Sequence, residues 1–84
     1  MFVSGEVQGV GFRHYTKLRA RELGLAGWVQ NLPNGRVEVW VEGPETLVEE
    51  LVEWLRRGPP GAHVRGLEAR EVEPAALERF EVRR

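Results

Sequence analysis

Between Phe2 and Arg13 the chain changes its hydrophobic period, and that change limits what it can fold into. Residues 2–7 alternate loosely, as a strand does. From Phe12 onward, Phe12, Thr16, Ala20 and Leu23 recur at helical spacing. Gln8-Gly9-Val10-Gly11 joins the two patterns, and Arg13 falls in the first helical turn. A strand, a glycine-containing turn and a helix N-terminus are the parts of an anion site. Successive backbone N–H groups can converge there, and the helix dipole adds partial positive charge. Arg13 adds a planar fork of donors that stays charged and suits a phosphate or a carboxylate. The same parts also build turns that bind nothing, and on these residues alone both readings stand.

Two phosphate motifs are excluded. A dinucleotide fingerprint counted from Gly9 needs a third glycine where His14 stands. A Walker-type loop needs Gly-Lys-Ser or Gly-Lys-Thr, and Lys17, the only lysine, has no such context.

The remaining punctuation sets the element order. Lys17, Arg19 and Arg21 lie opposite the apolar stripe of the first helix, and Gly24 is its stop. Residues 26–32 and 36–42 read as strands around Pro33-Asn34-Gly35, a strong hairpin signal. Val37, Val39 and Val41 share one face of the second strand, and Trp40 shares the other with charges, where a structural role is expected. Gly43-Pro44 opens a second helix with proline suited to its first position. Leu47, Leu51, Trp54 and Leu55 form its apolar stripe, and Gly58-Pro59-Pro60-Gly61 ends it. A polar strand over 64–72, a turn near Pro74 and a short terminal strand with Phe80 and Val82 complete the chain. This order predicts one α+β domain over residues 1–84. It is a ferredoxin-like βαββαβ sandwich, with two helices on one face of a mainly antiparallel sheet and a short extra C-terminal strand.

Composition removes several function classes. A net charge of −1 argues against a nucleic-acid binder that works by neutralising phosphates. There is no cysteine, no aspartate, and one serine, Ser4, so neither thiolate chemistry nor a Ser-His-Asp relay can be built. His14 and His63 are far apart, and no cluster has metal-ligand spacing. No run is long enough to span a membrane, and no signal-peptide pattern opens the chain, so a cytoplasmic setting is the default. The bias toward Arg and Glu, with prolines in loops, points either to a thermophile or to genome base composition.

Two stretches together resemble the acylphosphatase family: Val3-Ser4-Gly5-Glu6-Val7-Gln8-Gly9-Val10-Gly11-Phe12-Arg13, and Gly27-Trp28-Val29-Gln30-Asn31 followed by Gly35, Val37 and Gly43. The Gly58–Gly61 loop and the Phe80 strand extend the likeness over nearly the whole chain. Family members usually have a few more residues before the first strand, which is expected to weaken that strand's outer end. The resemblance implies a monomeric enzyme that hydrolyses the carboxyl–phosphate bond of small acyl phosphates, releasing inorganic phosphate, without metal or cofactor. It implies that Arg13 binds the phosphoryl group with the backbone of Gln8, Gly9, Val10, Gly11 and Phe12, and that Asn31 orients the attacking water. No nucleic-acid or membrane partner is implied.

The residue chemistry permits these roles. Charge in phosphoryl transfer sits on the equatorial oxygens, which N–H donors and a guanidinium can hold. The leaving carboxylate has a conjugate-acid pKa of roughly 4, so no general acid is needed. Asn31 can position water but hardly deprotonate it. Without the resemblance, Asn31 is ordinary strand-end polarity and the glycines merely permit a tight turn. Gln8 is expected to contribute its amide or a local hydrogen bond. His14, about 100° round the helix from Arg13, is read as structural or solvent-facing. No partner is evident for His63. Two rivals share the fold. A regulatory or RNA-binding module would need a tether or more aromatics than Phe2 on the first strand. A domain of a larger carbamoyl-phosphate-using maturation protein is disfavoured by a chain ending at Arg84.

Overall fold

The computed structural model describes residues 1–84. The elements run β1 (Phe2–Glu6), α1 (Phe12–Glu22), β2 (Ala26–Asn31), β3 (Val37–Glu42), α2 (Glu45–Arg57), β4 (His63–Glu68) and β5 (Phe80–Val82). The sheet order is β4-β1-β3-β2-β5, antiparallel except for the parallel β2–β5 pair. Helix α1 packs on β2 and β5, α2 packs on β4, and the helices touch each other on the same face. This is the ferredoxin-like sandwich that the element order predicts, with β5 as the added strand.

Alternation decides which face is covered. Val3, Val29, Val37 and Val39 point under the helices and are fully buried with Phe12, Leu51, Leu55 and Phe80. On the other face Trp28 stands opposite Trp40, their rings stacked at 6.0 Å. The indole of Trp40 donates to Glu42 at 3.1 Å, so its role is structural as expected. Gly27 is dictated by crowding: a Cβ there would fall on the Trp40 carbonyl oxygen, and its φ of +147° disfavours any side chain.

Several boundaries differ from expectation, including one-residue shifts at the end of β1 and at the starts of β3 and β4. β2 ends at Asn31, one residue short of the predicted 32. β4 ends at Glu68 rather than 72, because Glu68 pairs with Phe2 at the start of β1 and no ladder remains beyond it. Pro44 is the N-cap of α2, with ψ of 135°, and Glu45 is its first helical residue. The outer end of β1 is closed: Met1 exchanges backbone hydrogen bonds with Val39, its amine donating at 2.7 Å and its carbonyl accepting at 2.8 Å.

The long connection from β4 to β5 is held by one carboxylate. Glu42 accepts N–H groups from Ala75 and Leu77 as well as the Trp40 indole. The backbone wraps around the anion, and Ala76 is the only non-glycine residue with positive φ, at 56°. Bonds from the Ala75 amide first, and then the Trp40 indole, hold the Glu42 carboxyl below its usual 4.5. A depressed folded-state pKa contributes stability in full above the unfolded value and loses it as pH falls through the folded value. Denaturation midpoints of wild type and Glu42→Gln should therefore differ above pH 4.5 and converge below it. A difference independent of pH would exclude the carboxylate as the cause.

Candidate active site

The turn from β1 to α1 is built so that its amides face outward from their own chain. No backbone N–H from Gln8 to His14 donates to a carbonyl of the protein. The first in this region to do so is Tyr15, to the Gly11 carbonyl at 3.0 Å. Gly9 and Gly11 have φ of +79° and +76°, and such left-handed steps turn successive N–H groups toward one side. At Gly9 the constraint is purely conformational, since a Cβ would meet nothing within 4 Å. Gly11 is also the N-cap of α1, with no side-chain cap and no acidic residue in the first turn. The partial positive charge of the helix N-terminus is thus neither capped nor neutralised.

The turn borders a pocket of about 340 Å³, lined by Gly9, Gly11, Phe12, Arg13 and Asn31 together with Val7, His14, Lys17 and Val82. Arg13 comes from the first turn of α1 and Asn31 from the end of β2, so residues from the two motifs meet in one cavity. One arm of the guanidinium is fixed, Nη1 donating to the Arg83 carbonyl at 3.0 Å. Arg83 is anchored in turn by its N–H to the Val29 carbonyl at 2.8 Å and by its own guanidinium over the Trp28 ring at 4.3 Å. The other Arg13 donors are left for a ligand. Asn31 Oδ1 is buried without a hydrogen-bond partner, a condition that costs about 1–3 kcal/mol and invites a functional account. Thr16 Oγ1 is the other such atom, in the core, and nothing in the structure explains it.

Gln8 and Val10 do not line the cavity. The Gln8 side chain reaches across to the hairpin, donating to the carbonyls of Leu32 at 2.8 Å and Arg36 at 3.0 Å. Its bonds are long-range rather than local. Val10 packs toward the core, and Gly61 lies near it. His14 is exposed, edge-on to Tyr15 at 5.4 Å, and also forms part of the wall. His63 sits 4.0 Å from Glu6, an exposed pair remote from the cavity. Lys17, which the helical pattern places opposite the apolar stripe, also joins the lining; its i+4 spacing from Arg13 is the available signal.

The Acylphosphatase family model matches residues 1–82. The chain belongs to the acylphosphatase family. An acylphosphatase from Trichormus variabilis is 52% identical over 84 residues, covering 100% of this chain and 83% of the relative. The solved acylphosphatase of Coxiella burnetii superposes with a TM-score of 0.94 at 43% identity, over 98% of this chain and 86% of that one. The HypF of T. kodakarensis aligns with 98% of this chain at 38% identity and a TM-score of 0.81, but over only 12% of its own length. Membership of this acylphosphatase family supports acyl phosphate hydrolysis.

The Gln8 bridge can be tested directly. Gln8→Ala removes the side-chain donor from the Leu32 and Arg36 carbonyls, which keep the backbone N–H groups of Gly35 and Leu32, and should lower unfolding stability by about 0.5–1.5 kcal/mol. Chemical denaturation measures it, and a change under about 0.3 kcal/mol would show that water replaces the amide.

Proposed function

We propose that the chain hydrolyses acyl phosphates in this cavity by fixed electrostatics, without metal. The observation that carries this reading is the run of unpaired N–H groups from Gln8 to His14 beside Arg13, with Asn31 in the same pocket. The phosphoryl oxygens accept from amides of the turn that line the cavity, those of Gly9, Gly11 and Phe12, and from the free arm of Arg13. The positive end of α1 adds to this potential where charge develops in a loose transition state.

Asn31 offers both a donor and an acceptor on a short side chain at a strand end, which suits it to hold a water near phosphorus. The water oxygen bonds to phosphorus as the bond from phosphorus to the acyl oxygen breaks. The carboxylate leaves with that electron pair. Its conjugate acid has a pKa of roughly 4, so it departs unprotonated. The proton of the water passes to a non-bridging phosphoryl oxygen, since the lining contains no carboxylate to receive it. Positioning of this kind lowers a barrier by several kcal/mol, on the order of 7 in favourable cases.

The purified protein should hydrolyse acetyl phosphate with a chelator present and be inhibited by inorganic phosphate. Activity abolished by the chelator and restored by a divalent ion would overturn the metal-free route. Arg13→Ala should weaken phosphate inhibition by roughly tenfold to a hundredfold, the loss of a charge-assisted hydrogen-bond pair. Asn31→Ala should lower kcat by about 10²–10³ with a smaller change in KM. Near-normal turnover would remove Asn31 from the mechanism.

A further inference from the structure

The cavity beside Arg13 holds more cationic groups than a phosphoryl group engages. Its lining includes Arg13 and Lys17 and no acidic side chain, although the chain carries 13 glutamates. Lys17 is half-buried, and neither a hydrogen bond nor an ion pair involves it. Elsewhere on the surface Arg19, Arg56 and Arg79 each pair with a glutamate. A lysine in a cavity wall with no carboxylate partner leaves its ammonium free to meet an anionic ligand.

We infer that Lys17 is a specificity-determining residue for the acyl part of the substrate. It would favour acyl phosphates whose acyl group carries a second anionic group, of which a carboxylate is the simplest. This rests on the hydrolytic reading above, which places the phosphoryl end at the glycine turn and Arg13. Lys17 lies one turn farther along α1, a rise of about 6 Å, which two or three carbon atoms span. Val82 supplies an apolar wall beside that path. Arg13 is not assigned to the distal anion, because Nη1 is held by the Arg83 carbonyl and the hydrolytic reading uses its remaining donors for the phosphoryl group. The open rim leaves the interaction sensitive to salt.

The test compares succinyl phosphate with acetyl phosphate in wild type, Lys17→Met and Lys17→Arg at one pH and low salt. Lys17→Met should reduce the ratio of the two kcat/KM values by about fivefold, and Lys17→Arg should preserve it. Raising salt to roughly 0.5 M should move the wild-type ratio toward that of Lys17→Met. An unchanged ratio, or an equal fall for both substrates, would overturn the assignment. Calorimetric binding of 3-phosphonopropionate against ethylphosphonate reads the same preference without turnover. A preference lost in Lys17→Met, in a wild type that hydrolyses neither acyl phosphate, would sink the enzymatic reading and keep the anion subsite. Intact hydrolysis with no such preference would do the reverse.

Discussion

The side chain of Gln8 joins the two halves of the site. By donating to the carbonyls of Leu32 and Arg36 it ties the amide-bearing turn to the hairpin whose first strand ends in Asn31. Without that tie, a turn with two left-handed glycines and no internal N–H bonds would have little to hold its shape. Below it, Val7 and Phe12 are buried in the core. Gly58, in the loop after α2, is pressed so closely on the Phe12 ring that a Cβ there would come within 3.1 Å. The turn is therefore clamped from the hairpin side and from the core side, while its N–H groups stay unpaired within the chain.

On the electrostatic route proposed for this site, rigidity matters. A donor that must reorganise during the reaction contributes less than one already in place. The same reasoning applies to Arg13, whose long side chain loses much of its freedom once Nη1 is held by the Arg83 carbonyl. That carbonyl lies just beyond β5, a strand of only Phe80–Val82, and its position depends on the parallel pairing with β2 and on the Arg83 stack over Trp28. The outer, apparently idle face of the sheet thus contributes to the cavity on its far edge.

Glu42 shows how few polar groups are needed to order a long connection. A single carboxylate organises the connection that delivers the chain to β5, gathering two backbone amides and an indole. In a protein of this size, with a small core, such local satisfaction of backbone groups does much of the ordering that burial cannot.

The sequence by itself determined the element order, the covered face and the identity of the glycine turn. Hydrophobic period and turn chemistry are local properties, and Val37, Val39, Phe12 and Pro33-Asn34-Gly35 express them within a few residues. It also named Arg13 and Asn31, through their place in two motifs. Only the tertiary structure decided that these two share a cavity, that Gln8 bonds residues 24 and 28 positions away, and that Lys17 joins the cavity wall. It likewise decided that a C-terminal carbonyl steadies Arg13. Those facts depend on which strands lie side by side and how deep each helix sits, and long-range packing of that kind leaves no periodic trace in the chain.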